Sequence, residues 1–146
     1  MTDCIFCKII NGEIPSAKVY EDDQVYAFLD LTQVTPGHTL VIPKKHVTDI
    51  FEYDEELASQ VFARIPKIAR AIEKALPQVK GLNILNNNRA VAYQSVFHSH
   101  IHLIPRYQED EGFKLHFQDN SKTYTPEEFQ ALAQQIGKEL GVAYEQ

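Results

Sequence analysis

The sequence predicts an α+β fold built on an antiparallel sheet. Two stretches carry helical periodicity, and about five short apolar runs read as strands. Those strands mostly follow one another through turns instead of alternating with helices, which argues against a doubly wound parallel sheet. A chain of 146 residues suits one domain with one main core, so a single domain over residues 1–146 is the expectation.

The elements follow in order. Residues 18–30 read as a hairpin: Val19 and Tyr20 lead in, Glu21-Asp22-Asp23 makes a polar turn, and Val25-Tyr26-Ala27-Phe28-Leu29 leads out. Pro36-Gly37 marks a turn before the short strand Thr39-Leu40-Val41-Ile42, which Pro43 ends. Residues 54–76 are the clearest helix, with Leu57, Val61, Ile65, Ile68, Ile72 and Leu76 on one face. Pro66 should kink or split that helix, and Pro77 closes it. Residues 82–85 form a strand that runs into the polar loop Asn86-Asn87-Asn88-Arg89, and residues 96–104 form the next strand. A helical tail spans about residues 125–140. Thr125 is its N-cap, Pro126 its first residue and Glu128 the partner in a capping box. Phe129, Leu132, Ala133, Ile136 and Leu140 form its apolar face, and Gly141 is its stop.

Fourteen basic and twenty acidic residues give a net charge of −6, which argues against a partner with a nucleic-acid backbone. A small phosphate ligand is still compatible, because a pocket can be locally rich in N–H donors on an acidic protein. Met1-Thr2-Asp3-Cys4 lacks the basic start and apolar stretch of a signal peptide, and no run reaches the roughly 20 apolar residues of a membrane span. A soluble, cytoplasmic protein is the expectation. Its two cysteines, Cys4 and Cys7, are too few for a disulfide framework. The C-x-x-C spacing leaves a metal clip, a redox pair or incidental thiols. The redox motif needs a preceding strand, for which position 4 leaves no room.

His98, His100 and His102 alternate with Ser99 and Ile101. On a strand, alternate residues share a face, so the three imidazoles project to one side. A lone histidine there would be a satisfied polar residue, but three desolvated imidazoles on one face are costly without a function. Neighbouring members lie about 6.8 Å apart and the outer two about 13 Å apart. Converging all three on one metal, at ligand distances of about 2.0–2.1 Å, is therefore difficult on a straight strand. Separate roles follow. A neutral imidazole is a competent nucleophile toward phosphorus near pH 7, provided one ring nitrogen is held as N–H and donors surround the phosphate oxygens. Asn87, Gln94 and Ser95, just upstream, offer such donors.

Gln94-Ser95-Val96-Phe97-His98-Ser99-His100-Ile101-His102-Leu103-Ile104 resembles the His-x-His-x-His motif of the histidine triad family. So do the Asn-rich loop, Gly37-His38-Thr39-Leu40-Val41-Ile42-Pro43-Lys44-Lys45-His46, and Cys4-Ile5-Phe6-Cys7-Lys8-Ile9-Ile10. The likeness spans about residues 4–106 and is greatest toward the Hint branch and bacterial Hit-type members. It implies a five-stranded antiparallel sheet with two helices, and a homodimer that joins two sheets into ten strands. It also implies hydrolysis of nucleoside phosphoramidates or related nucleotidyl compounds, with purine nucleotides as substrates. His100 would carry the nucleotidyl group, His102 would hydrogen-bond the phosphate and His38 would support the triad. Asn87, Gln94 and Ser95 would contact phosphate or leaving group, and Asp30 the ribose. Ile5, Phe6, Ile9, Phe28 and Leu31 would line the base pocket, although the residues alone read equally well as core. The resemblance further implies a structural zinc at Cys4, Cys7, His46 and His98, with no cofactor needed for the chemistry.

Two positions depart from the pattern: Arg89 and Tyr93 stand where the family usually has glycine, which permits positive φ. That bears on substrate range and turnover more than on reaction type. The same residues also fit a non-catalytic nucleotide-binding module, a zinc hydrolase using triad histidines as ligands, or a dinucleoside polyphosphate hydrolase.

Overall fold

A computed structural model describes residues 3–144. The chain forms two compact units, residues up to 114 and residues from 115 onward.

The first unit is a five-stranded antiparallel sheet in the order β1-β2-β3-β5-β4. β1 (Lys18–Glu21) and β2 (Val25–Leu29) make the expected hairpin, and β3 (Thr39–Pro43) continues it. β4 (Gly81–Leu85) pairs with β5 (Ile101–Arg106). The central strands are covered on both faces. Val25, Ala27, Val41, Ile101 and Leu103 point one way, onto Leu57, Val61, Ile65, Ile68 and Ile72 of the helices. Tyr26, Phe28, Leu40 and Ile42 point the other way, onto Phe6 and Ile9. The alternation of side chains along a strand therefore builds two cores from one sheet.

Residues 54–76 form two helices, α2 (Glu55–Ala63) and α3 (Ile65–Ala75), joined at Arg64. Pro66 has no N–H to give to the preceding turn, so α3 restarts with the proline in its first turn. The expectation of two helices is further corrected by α1 (Ile5–Ile10), which was not foreseen. The Cys4 sulfur caps it, accepting from Cys7 N–H at 3.3 Å. With only six residues, it shows too little periodicity to be read, and cysteine is not a usual cap.

The strand expected over residues 96–104 is also corrected. It begins only at Ile101, so His98 and His100 precede the ladder and His102 alone lies on β5. The backbone ahead of it is satisfied otherwise: Ser99 N–H donates to Val47 O at 2.8 Å, and the His100 carbonyl accepts from Asn86 Nδ2 at 2.9 Å.

The second unit contains α4 (Pro126–Glu139), with the full Thr125–Glu128 capping box. Gly141 follows it at φ +80°. Phe129, Leu132 and Ile136 on its apolar face are exposed. No helix of the described residues is long and apolar enough to cross a membrane.

Candidate active site and metal centre

The triad lies on the face of the sheet that carries α1. His102 pairs across the ladder with Leu40, which fixes its side chain on that face. The Phe6 ring meets the His98 and His100 rings edge-on, with centroids 5.9 and 5.2 Å away, and His100 and His102 are 5.1 Å apart.

Each imidazole has one nitrogen committed, which settles its tautomer. His100 Nδ1 is 2.9 Å from the His98 carbonyl, so Nδ1–H donates and Nε2 keeps its lone pair. His38 Nδ1 accepts from Val34 N–H at 3.3 Å, leaving the proton on Nε2. That proton is donated to His102 Nδ1 at 2.9 Å, so His102 in turn carries its proton on Nε2. His98 Nε2–H donates to the Pro43 carbonyl at 2.8 Å, freeing Nδ1.

Burial keeps these rings neutral. It lowers His38 and His100 below the usual histidine value and brings His98 and His102 down to about 4. Burial pushes the Asp30 carboxyl upward, but two hydrogen bonds from Thr32 and the facing imidazoles outweigh it and hold it below the usual range. Thr32 donates to Asp30 Oδ1 from N–H and Oγ1, at 2.8 and 2.6 Å, while Oδ2 stands 3.8 Å from His38 Nε2.

His100 and His102 form the polar end of a cavity of about 260 Å³. Ile5, Phe6, Ile9, Phe28, Leu31, Asp30 and Ser95, all expected at the substrate, line it together. Leu40, Val96 and the segment from Ile14 to Ala17 also line it and were not foreseen; their only signal was apolar or small side chains beside the motif. Asn87 and Gln94 are not among the lining residues. Gln94 is buried with its amide spent on backbone groups: Nε2 donates to Thr48 O and Val96 O, and Oε1 accepts from Arg89 N–H. Asn86, missed in the sequence, holds the His100 carbonyl instead.

Arg89 and Tyr93 have φ of 76° and 70°. The loop thus has positive φ at both positions where the resemblance expects glycine.

Cys4, Cys7, His46 and His98 bring one ligand atom each to within 4.8 Å of one another. Cys4 Sγ is 3.4 Å and Cys7 Sγ 3.6 Å from His98 Nδ1; Cys7 Sγ is 3.5 Å and His98 Nδ1 3.0 Å from His46 Nδ1. A tetrahedral zinc with its usual bond lengths separates sulfur and nitrogen by about 3.5 Å, so the donor set fits that ion. Asp30, His38 and His102 also cluster, but their facing nitrogens are used by the His38–His102 hydrogen bond. Among the described residues, His100 belongs to neither group.

The sequence profile of the HIT domain family matches residues 11–109. The protein hit of Bacillus subtilis is 54% identical over 138 residues, covering 94% of each chain. An adenosine 5'-monophosphoramidase of Schizosaccharomyces pombe is 36% identical over 137 residues, covering 94% of this chain and 98% of its own. The crystal structure of a HIT family member from Bacillus subtilis superimposes with a TM-score of 0.91 at 52% identity, covering 98% of this chain and 99% of that one.

Proposed function

This chain belongs to the HIT domain family, and from that premise we propose that it is a nucleotide phosphoramidase or nucleotidyl hydrolase working through a covalent nucleotidyl-histidine at His100. The observation that carries this reading is the tautomer of His100, which lines the cavity: an Nδ1–H bound to the His98 carbonyl and a lone pair left on Nε2.

The nucleoside occupies the cavity with its base against Phe6, Phe28, Ile5, Ile9 and Leu31, a slot that suits a flat purine. Asp30 Oδ2 takes the ribose hydroxyls. The α-phosphate meets His102 Nε2–H and Ser95, donors already aimed before charge develops. His100 Nε2 attacks phosphorus in line; the Nε2–P bond forms as the P–N bond breaks, and the departing nitrogen takes a proton from solvent. Water then attacks phosphorus, the Nε2–P bond breaks, and nucleoside monophosphate leaves with the proton returned to solvent. His38 acts through His102, as a positioning residue. Asn87 and Gln94 shape the phosphate loop in this reading.

Cys4, Cys7, His46 and His98 would hold a structural zinc. It would tie α1 to the residue whose carbonyl orients His100. Two cysteines held as metal ligands and not as a disulfide accord with a reducing, cytoplasmic setting. A homodimer is part of the proposal: β4 is an outer strand of the sheet, and Ile84 on it is exposed, which supports edge-to-edge pairing with a second copy.

Hydrolysis of adenosine 5′-phosphoramidate by the wild type and by His100→Ala tests the reading. Turnover that collapses in the variant is expected. Equal turnover by both would overturn the assignment of the nucleophile.

A further inference from the structure

Arg89 has φ 76° and ψ 161°, a conformation that only glycine adopts without strain. The backbone needs no arginine there. Arg89 N–H donates to Gln94 Oε1 at 2.6 Å, and its carbonyl accepts from the N–H groups of Ala92 and Gln94, both at 3.1 Å. A glycine would make all three bonds, so what the strain retains is the side chain.

That side chain is held in place by an aromatic ring and a long ion pair, and its two terminal amino groups are left unspent. Its guanidinium lies over the exposed Phe51 ring at 4.2 Å, and its Nε stands 3.7 Å from Asp49 Oδ2. Asp49 is itself engaged, its Oδ1 accepting from Phe51 N–H. Among the described residues, neither terminal amino group of Arg89 has a hydrogen-bond acceptor, and the side chain is 64% exposed. By contrast, Lys44 is paired with Glu21 at 2.7 Å and Arg106 with Glu111 at 2.7 Å.

The loop bearing this cation closes onto the reactive end of the cavity. Gln94, which receives the Arg89 N–H, donates to the carbonyl of Val96, and Ser95 and Val96 line the cavity with His100. The apolar wall and Asp30 take up the nucleoside. In-line displacement expels the leaving group on the side away from His100 Nε2, outside that wall.

We infer that Arg89 is a specificity-determining residue that receives a carboxylate carried by the departing amine, so that phosphoramidates of amino acids are preferred over those of neutral amines. A guanidinium fork matches a carboxylate with two parallel hydrogen bonds. Arg89 touches the leaving group and not the reacting atoms. The inference rests on the hydrolase reading for the reaction whose substrate it names.

The test compares two compounds with the same P–N bond: adenosine 5′-monophosphate joined to glycine, and the same nucleotide joined to glycinamide. The readout is the ratio of their kcat/KM values in the wild type, Arg89→Gly and Arg89→Lys. A wild-type preference for the glycine compound of about fivefold, the scale of an exposed but well-oriented ion pair, is expected. It should lie in KM, shrink with added salt, vanish in Arg89→Gly and return in part in Arg89→Lys. Glycine suits the backbone at this position, so the variant should fold. A ratio equal in wild type and Arg89→Gly, or an equal fall in kcat for both compounds, would overturn the inference. The binding ratio of the two intact compounds, measured on His100→Ala with and without Arg89→Gly, separates this failure from that of the hydrolase reading. Absence of turnover in the wild type would sink the hydrolase alone. An Arg89-dependent binding preference would still support the inference, and its absence would still refute it.

Discussion

Val34 N–H can only donate, so His38 Nδ1 must accept, and the choice propagates through His38 Nε2 and His102 Nδ1 to leave a donor at His102 Nε2. The carbonyl of His98 makes the opposite choice for His100, leaving a lone pair. Two neighbouring imidazoles of the same residue type are thus set to opposite roles by what lies behind them. Replacing His38 with alanine removes the partner of His102 Nδ1 and frees that ring to take either tautomer. We expect kcat for adenosine 5′-phosphoramidate to fall by about tenfold or more with KM little changed, as for loss of orientation at one donor. A rise in KM alone would place His38 in uniform binding instead. Burial also sets a pH dependence. His100 and His102 must be neutral to act, and both titrate below 6.5, His102 at about 4. The acid limb of kcat/KM is therefore expected below pH 6.5, and a limb at or above that value would contradict the burial argument. Stability follows the same sign. Between 6.5 and about 4 the unfolded chain binds protons that the buried imidazoles refuse. Stability is therefore lost as the pH falls through that window, measurable as a falling denaturation midpoint.

Much of the element scale was legible, because long-period patterns survive in a single sequence. The hairpin, the face from Leu57 to Ile72 and the Thr125 capping box stand where their patterns put them. The apolar wall of the cavity was legible through its motif order and not through periodicity, since apolar residues beside a site read equally as core. Three features were not legible. α1 is six residues capped by a sulfur. His98 and His100 keep the alternation of a strand without its ladder, because Asn86 takes the His100 carbonyl and Val47 the Ser99 N–H between them. Gln94 is spent on Arg89 in its own loop and on the Thr48 carbonyl of a distant segment, a fact that only the folded chain reveals. The turn before β3 offers a test at this scale. Gly37 has φ +93°, and a Cβ there would come within 2.6 Å of Leu76 Cδ1 and 3.3 Å of Pro105 Cγ. Gly37→Ala should destabilise the protein by about 2 kcal/mol, from positive φ plus overpacking, seen as a shift in the urea midpoint. A change within about 0.5 kcal/mol would mean that Leu76 and the turn yield freely.

For the whole molecule, the cysteine–histidine cluster joins parts of the chain that are far apart in sequence: α1, the segment after β3 and the approach to β5. Burial, with the neighbouring Cys4 sulfur, holds the Cys7 thiol up at about 11, so that sulfur needs a cation beside it before it ionises. Zinc analysis of protein purified without chelators is expected to find about one ion per chain, lost together with several degrees of melting temperature in Cys7→Ser. Metal-free protein whose melting temperature zinc does not raise would remove the ion from the account. Of the two compact units, the first holds both the cavity and the cysteine–histidine cluster. There His102 on β5, His100 just before that strand and Asp30 just after β2 meet at one cavity. The central claim is that His100 Nε2 bonds to phosphorus during turnover. Rapid quenching of the protein with adenosine 5′-phosphoramidate, followed by mass spectrometry of its peptides, tests this directly. The account predicts an adenylyl adduct on the peptide containing His100, absent from His100→Ala. Steady turnover with no adduct at any quench time, or an adduct on another histidine, would contradict it.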